Sequence, residues 1–282
     1  MILDGKKYAN EVKLELKNKI DEIKKIYPEK EITLSIVLVG NNEASEIYVR
    51  NKIKTCSLVG IKASLIRVDE TITEEALKEI IRKLNSDEKV NGIIVQLPLP
   101  KHLKEQTIID EIAEEKDVDG FSTISKGKLL SGAEAFYPAT PYGIIKLLKH
   151  YNIDMCGKRA VVVGRSNIVG KPMALLLLNE NATVTIAHSK TNNLEAYTKE
   201  ADILVVAVGK AKLITKNMVK ENAVIIDVGM NRKDGVLCGD VDFEDVSQIA
   251  SYITPVPGGV GPLTIVYLLE NTIKAFLKQN NK

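Results

Sequence analysis

The chain has no tryptophan, and its 282 residues include only three cysteines and three histidines. Cys56, Cys156 and Cys238 are widely separated and form no C-x-x-C pair, so they suggest neither a redox centre nor a zinc site. We expect all three to be buried small hydrophobic residues. The histidines are too scattered for us to predict a metal site, and any proton chemistry is expected to use another kind of side chain.

An excess of charge of one sign and long apolar runs are also lacking. The 39 Lys and Arg residues against 37 Asp and Glu residues leave a net charge of +2, which gives no basis for a nucleic-acid interface. Residues 1–19 carry charges every few positions and lack the apolar core of a signal peptide. No run of about eighteen apolar residues is present, so we expect no membrane span and a cytoplasmic protein.

What the sequence does contain is a repeated alternation of strand-like and helix-like segments. Short β-branched apolar runs occupy residues 32–40, 62–69 and 91–100, and charged stretches with helical period follow the first two. Strands this continuously apolar are typical of a parallel sheet that is buried on both faces. The pattern therefore predicts an α/β fold.

The same pattern restarts in the second half of the chain. Further strand-like runs occupy residues 159–164, 182–189, 201–209 and 223–229. The segment 116–141 lies between the two sets and is rich in Gly, Ser and Pro. We interpret it as an irregular boundary segment. We predict two domains, 1–120 and 121–282, with a cleft between them. Periodicity leaves open whether the last helix, about 262–279, packs on the N-terminal domain.

The stretch "VVVGRSNIVGKP" (161–172) predicts a strand, a tight turn and the start of a helix. This is the geometry that holds a dinucleotide pyrophosphate, although Ser166 stands where G-x-G-x-x-G has its second glycine. A purely structural turn stays open as the alternative. After the next strand, "HSKT" (188–191) has no acid for the ribose of NAD, and together with Arg165 it suits a 2′-phosphate. We therefore predict NADP.

A helix that begins near residue 43 carries the candidate proton-transfer group. We expect Val49, Ile53 and Cys56 to face the core, with Tyr48 and Lys52 on the adjacent stripe. A lysine at such an edge usually extends its amine into water. Yet this helix follows a strand, and ligands of open α/β sheets bind outside the carboxyl ends of strands. Gln96 ends the third strand and is a candidate partner of the Lys52 amine; backbone is the alternative partner.

Two loops have both a structural and a functional interpretation. Asp117 and Asp119 in "KDVDGF" (116–121) fit Asx turns, and a carboxylate there is also suited to hold the amidine edge of a heterocycle. The stretch "TPVPGGVGP" (254–262) is either a rigid loop or a close approach of backbone to a ligand.

Six stretches in order resemble the bifunctional methylenetetrahydrofolate dehydrogenase/cyclohydrolase family, FolD, over essentially the whole chain. They are "EASEIYVRNK", "GIIVQLPLP", "KDVDGF", "PATPYGI", "GRSNIVGKP" and "ITPVPGGVGP". The resemblance implies an N-terminal substrate domain and a C-terminal Rossmann-like NADP domain. It further implies a multifunctional enzyme of one-carbon metabolism and purine biosynthesis, with tetrahydrofolate derivatives as ligands and a homodimer joined through the cofactor domains.

The resemblance also implies roles for individual residues. Lys52 would be the general acid and base, assisted by Tyr48 and oriented by Gln96; when methenyl-folate is bound we expect its amine to be mostly neutral. The substrate-binding residues would be Tyr48, Asp119, Pro257, Gly258 and Gly259. The cofactor-binding residues would be Gly164, Arg165, Ser166, Ser189 and Met230.

Ala139 and Met230 depart from the cysteine and isoleucine that we expect at these places in the family, which affects only fine packing. Two rival functions stay open at this point. One is another two-domain NADP-linked dehydrogenase acting on a small hydroxy or amino acid. The other is a nucleotide- or folate-binding module without catalysis.

Overall fold

The computed structural model describes residues 1–233 and 235–280. Its α-helices are α1 Gly5–Ile26, α2 Glu43–Val59, α3 Glu74–Ser86, α4 Glu105–Ile109, α5 Thr123–Ser131, α6 Ala139–His150, α7 Gly170–Asn179, α8 Leu194–Thr198, α9 Phe243–Val246 and α10 Gly261–Asn280. Its strands are β1 Thr33–Val39, β2 Lys62–Val68, β3 Gly92–Val95, β4 Arg159–Val163, β5 Thr183–Ala187, β6 Ile203–Val206, β7 Val224–Asp227, β8 Asn231–Lys233, β9 Val236–Cys238 and β10 Tyr252–Ile253.

The chain divides into two compact units, each with its own sheet. The N-terminal unit comprises Glu11–Ala139 and the chain from Ile265 onwards, and the C-terminal unit comprises Met1–Asn10 and Thr140–Thr264. Residues 121–139 thus group with the N-terminal unit, beyond the division at residue 120 that the sequence predicts. Most of α10 groups there as well, and Asn271 on this helix donates to the carbonyl oxygens of Val118 and Tyr137.

The N-terminal unit contains a parallel sheet in the order β2-β1-β3. Strands β1 and β3 are fully buried, as predicted, because helices cover both faces of a parallel sheet. The same prediction is wrong for β2, which forms one of the two edges of the sheet and, unlike β3 at the other edge, is partly exposed along its length. Because β1 lies between β2 and β3, the strand order reverses beside its carboxyl end, the place where open α/β sheets bind ligands.

The C-terminal unit contains a five-stranded parallel sheet in the order β10-β7-β6-β4-β5. Its apolar core includes Val161, Leu204 and Ile225 from the three central strands. Ile2 pairs with Ile253 at the β10 edge, an addition that the sequence patterns did not predict. The short antiparallel pair of β8 and β9 follows β7.

Two further expectations from the sequence are wrong. The segment 116–141 is not irregular throughout, because it contains α5, which Ser122 caps at its start and Gly132 ends in the left-handed conformation. Cap residues are the same small polar residues that suggest a loop. Of the three cysteines, Cys56 is buried, whereas Cys156 is exposed and Cys238 is intermediate.

Within residues 1–233 and 235–280, none of the helices combines the length and apolar character needed to cross a bilayer.

Candidate active site and nucleotide site

The helix α2 presents the candidate proton-transfer group. It begins where the Asn42 side chain accepts a hydrogen bond from the Ser45 N–H at 3.0 Å, and Glu43 and Glu46 favour its positive N-terminal end. It ends at Gly60, whose N–H donates to the Cys56 carbonyl. These signals determine where the helix begins and ends.

Lys52 lies on the buried stripe of α2, not at its edge. Its exposed fraction is 8%, whereas Ile53, expected in the core, is only half-buried. The residues that share this stripe are Ser45, Val49, Lys52, Thr55, Cys56 and Val59. A charged lysine is costly to bury without a partner, so its amine requires a nearby acceptor.

Gln96 provides that acceptor. The Lys52 Nζ donates to Gln96 Oε1 at 3.0 Å, as the sequence suggested. Gln96 itself is held at two points, because its backbone N–H donates to the Val37 carbonyl and its Nε2 donates to the Leu97 carbonyl at 2.7 Å. The second bond directs the amide oxygen toward the lysine, so Gln96 orients the amine without adding a charge.

Tyr48 and Cys56 lie one helical turn on either side of Lys52. Burial raises the pKa of the Tyr48 phenol, although the ring remains 38% exposed. Burial raises the pKa of the Cys56 thiol to about 12, against the opposing charge of Lys52. Cys56 is therefore an inert thiol beneath the lysine, and Tyr48 is the partly exposed side chain beside it.

The two carboxylates of the "KDVDGF" turn have different environments. Asp117 is fully buried and accepts hydrogen bonds from the N–H groups of Phe121 and Ser122 and from the Ser125 hydroxyl, so its role is structural. The Asp119 carboxylate is half-buried and has no hydrogen-bond or ion-pair partner among the described residues. Burial raises its pKa to about 6; Lys52 opposes the shift and Asp117 adds to it. Asp119 is thus the carboxylate available to a ligand.

Ser45 is a feature of this site that the sequence analysis missed. Its hydroxyl is buried on the same stripe as Lys52 and has no hydrogen-bond partner in the part of the chain that the structure describes. Ser45, Tyr48 and Lys52 are spaced so that all three lie on one side of α2. This spacing is the sequence signal that could have identified Ser45.

In the C-terminal unit, the glycine turn connects β4 to α7. Gly164 has φ 129°, and a Cβ on it would lie 2.3 Å from the Ala207 carbonyl oxygen. A Cβ on Gly170 would lie 2.3 Å from the Gly164 carbonyl oxygen. Both glycines are therefore required by close backbone packing of the turn.

Ser166 occupies the place of the missing second glycine and closes the turn. Its Oγ accepts hydrogen bonds from the N–H groups of Val169 and Gly170, both at 3.2 Å, and its carbonyl accepts from Lys171. The free N–H groups expected at the start of α7 are therefore used within the turn. The Ser166 hydroxyl hydrogen is left to donate to an anion, and the dipole of α7 still favours one there.

Arg165 and Ser189 follow neighbouring strands at one edge of the same sheet. Val163 on β4 pairs with Ala187 on β5, and the Gly164 N–H donates to the Ala187 carbonyl at 2.8 Å. Arg165 comes two residues after Val163, and Ser189 comes two residues after Ala187. Both residues are exposed. Arg165 has no ion-pair partner within residues 1–233 and 235–280, so its charge is available to a phosphate.

The remaining predicted residues lie in two loops of the C-terminal unit. Met230 is about half exposed, and its Cε lies 3.9 Å from a Cβ built on Gly261. Pro257 is exposed, Gly258 has φ 107° with open space around it, and Gly259 is buried against the preceding turn. Pro257, Gly258 and Gly259 therefore belong to a different unit from Tyr48 and Asp119. Within the described part of the chain no group of His, Cys, Asp and Glu residues has the arrangement of a metal site.

Comparison with known proteins matches both halves of the chain to one family. Residues 3–119 match the catalytic domain of tetrahydrofolate dehydrogenase/cyclohydrolase, and residues 138–280 match its NAD(P)-binding domain. The bifunctional protein FolD of Listeria innocua is 54% identical over 97% of this chain and 96% of its own length.

Solved structures of the same family superpose closely. The bifunctional FolD enzyme from Campylobacter jejuni is 50% identical, with a TM-score of 0.95 and 98% of each chain covered. The Trypanosoma brucei FolD, in complex with NADP cofactor and inhibitor, is 35% identical with a TM-score of 0.94, covering 99% of this chain and 97% of its own. The chain therefore belongs to the tetrahydrofolate dehydrogenase/cyclohydrolase family.

Proposed function

We propose that this protein catalyses NADP-dependent oxidation of 5,10-methylenetetrahydrofolate to 5,10-methenyltetrahydrofolate, and hydrolysis of that product to 10-formyltetrahydrofolate. The observation that carries the proposal is the buried Lys52 amine, held at 3.0 Å by the neutral amide oxygen of Gln96. A lysine fixed in this way is suited to proton transfer, and it differs from a surface lysine whose amine extends into water.

The hydrolytic step requires two proton transfers. Water attacks the methenyl carbon and loses a proton, and a ring nitrogen gains one before its bond to that carbon breaks. Lys52 accepts the first proton as a neutral amine and donates the second as an ammonium group. Gln96 keeps the amine in place through both steps without adding a charge beside it.

Folate binding is assigned to Asp119 and Tyr48, with Pro257, Gly258 and Gly259 as further substrate contacts. The ionised Asp119 carboxylate accepts hydrogen bonds from the amidine edge of the pterin, a charge-assisted bidentate contact. The Asp119 carboxylate has no partner among the described residues, which supports this role. The neighbouring Asp117 carboxylate is already occupied by three hydrogen bonds from within the protein. Tyr48 contributes an apolar ring and a hydroxyl next to the reacting carbon.

NADP, when bound, would supply the acceptor for the hydride that leaves the methylene carbon of the substrate. Arg165 and Ser189 hold the 2′-phosphate that distinguishes NADP from NAD, and no acidic residue stands in residues 188–191 to bind a free ribose hydroxyl. The hydroxyl of Ser166 binds a phosphate oxygen at the start of α7. Gly164 allows the backbone to approach the nucleotide, and Met230 packs against it.

We also propose a homodimer formed through the C-terminal units. Strand β5 is the edge of the five-stranded sheet, and Leu178, Ile186 and Tyr197 on β5 and its flanking helices are 56%, 40% and 45% exposed. An unpaired edge with apolar side chains is a surface that proteins normally cover. Light scattering is expected to give twice the mass of one chain for the wild type and less for Ile186→Lys.

We place the activity in one-carbon metabolism, where its product supplies formyl groups for purine biosynthesis. We also propose a cytoplasmic location, which cell fractionation with an antibody to the chain measures.

The experiment that tests the proposal is a pair of assays on the purified protein. We expect NADPH to form from methylenetetrahydrofolate, with a much larger kcat/KM for NADP than for NAD, and the methenyl chromophore to disappear by hydrolysis. Tight binding of folate and nucleotide without either absorbance change would contradict the catalytic proposal and favour a binding module.

A further inference from the structure

Asp240 is a fully buried carboxylate in the C-terminal unit that none of the roles above uses. It accepts four hydrogen bonds, from the N–H groups of Val208, Gly209 and Lys210 at 2.7, 3.0 and 2.7 Å and from the Asn231 amide at 2.9 Å. An ionised carboxylate accepts about four hydrogen bonds, so these donors complete its capacity. Its charge is therefore balanced by the dipoles of one loop and one amide.

The donors belong to the loops that follow two adjacent strands. Val208, Gly209 and Lys210 begin one residue after the end of β6, and Asn231 comes after β7, next to Met230. The β6 loop also touches the glycine turn, since a Cβ on Gly164 would lie 2.3 Å from the Ala207 carbonyl oxygen. Ligands of open α/β sheets bind outside these carboxyl ends, so Asp240 organises backbone at the edge of the nucleotide site.

A second carboxylate fixes Asp240 in place. Asp227 at the end of β7 accepts the Asp240 N–H at 2.9 Å and the Val241 N–H at 2.9 Å. The two carboxylates fit without spare room, because a Cβ on Gly239 would lie 1.8 Å from an Asp227 oxygen and one on Gly229 would lie 2.2 Å from the Asp240 carboxyl carbon. Asp240 thus has one position available to it.

The direction of the three loop N–H groups determines where the carbonyl oxygens of the same peptide units point. In a trans peptide the N–H and the preceding C=O point in opposite directions. The carbonyl oxygens of Val208 and Gly209 therefore point away from Asp240. Gly209 has φ 65°, and no atom lies within 4 Å of the place of a Cβ on it, so a ligand atom has room beside this residue. Backbone carbonyls there suit hydrogen-bond donors such as ribose hydroxyls or a carboxamide.

We propose that Asp240 is a positioning residue of the nucleotide site: it holds the loop 208–210 so that its outward carbonyls bind donors of the dinucleotide. The inference rests on the proposed use of NADP. Asp240 is itself buried and does not touch the ligand. Its effect is expected on nucleotide affinity and not on the hydrolytic reaction, which needs no nucleotide.

The test compares Asp240→Asn with the wild type in three measurements. We expect the KM for NADP to rise on the order of tenfold with a smaller change in kcat, because an amide turns an N–H toward the loop donors. Hydrolysis of methenyltetrahydrofolate is expected to stay within about twofold, since it reports an intact fold and folate site. Calorimetric titration with NADP measures the same loss of affinity without turnover.

Asp242→Asn is the matched control, because its carboxylate lies two residues further on and, among the residues that the structure describes, bonds only to the exposed Lys212 amine. It is expected to leave all three quantities unchanged. If Asp240→Asn does not fold, Asn231→Ala removes one of the four donors and is expected to weaken NADP binding by about threefold.

Wild-type NADP affinity in a folded Asp240→Asn protein, or equal loss of hydrolysis and oxidation, would overturn the proposal. A wild-type protein that binds NADP but catalyses neither reaction would refute the proposed function and not the role of Asp240, which the titration tests separately.

Discussion

The Lys52 amine donates a 3.0 Å hydrogen bond to Gln96 Oε1, and this pair joins the helix after β1 to the carboxyl end of β3. The two residues are 44 positions apart in the chain. Each is held by its own element, so their contact is set before any substrate binds. Such preorganisation is what a proton-transfer group needs.

Replacing Gln96 with glutamate tests whether neutrality at this position matters. Gln96→Glu keeps the size of the side chain but puts a carboxylate beside the amine, which favours the ammonium form and removes the base. We expect hydrolysis of methenyltetrahydrofolate at pH 7 to fall by about tenfold or more, with activity partly recovered at higher pH. A rate profile over pH measures this, and an unchanged profile would contradict the role given to Gln96.

Folate binding should depend on the ionisation of Asp119. Burial raises the pKa of this carboxyl to about 6, and only its charged form accepts both pterin donors. The KM for methylenetetrahydrofolate is therefore expected to be constant above pH 7 and to rise as the pH falls through about 6. Asp119→Asn should have a high KM that no longer changes over this range. A wild-type KM that is flat between pH 5 and 7 would be inconsistent with this assignment.

Cofactor preference should depend on Arg165 and Ser189. Arg165→Ala removes the charge that pairs with the 2′-phosphate, so we expect kcat/KM for NADP to fall by about tenfold or more while the value for NAD changes little. Ser189→Asp adds the acid that binds a free ribose hydroxyl and should shift preference toward NAD. Equal losses with both nucleotides would indicate a general defect of the turn instead.

Asp117 should matter for stability and not for ligand contact. Asp117→Ala leaves the N–H groups of Phe121 and Ser122 and the Ser125 hydroxyl without their acceptor, at a cost of about 2–4 kcal/mol in the free energy of unfolding. Urea denaturation followed by circular dichroism measures the difference. Glu115→Ala removes an exposed carboxylate nearby and is expected to change stability by less than about 0.5 kcal/mol.

The alternation of strands and helices could be predicted from the sequence because buried parallel strands are continuously apolar. The runs around 32–40 and 159–164 contain β1 and β4 with small differences at their ends. The edge position of β2 could not be predicted, since edge and central strands share the same composition. The helix α5 was missed because its cap residues also favour turns.

The chemistry of the site was predictable from side chains placed on one helix or at the ends of neighbouring strands, as for Lys52 and Gln96. Tyr48 and Lys52 share a face of α2 and were identified by spacing, but the full burial of Lys52 depends on packing against the sheet. Asp240 was not singled out, because three of its partners are backbone N–H groups, which leave no trace in side-chain patterns. Ser166 was named from the glycine turn, but the two backbone N–H groups that its hydroxyl accepts could not be predicted, for the same reason.

The most direct test of the account is the rate of methenyltetrahydrofolate hydrolysis by Lys52→Met. Methionine keeps an unbranched apolar stem on the buried stripe and removes only the amine. Lys54→Met, on the exposed face of the same helix, is the matched control and should hydrolyse at the wild-type rate.

We predict that Lys52→Met lowers hydrolysis by about a hundredfold or more, the usual contribution of a general acid and base. Oxidation of methylenetetrahydrofolate should fall far less, because hydride transfer requires no proton from Lys52. A Lys52→Met protein that hydrolyses the methenyl substrate at the wild-type rate would contradict the central claim.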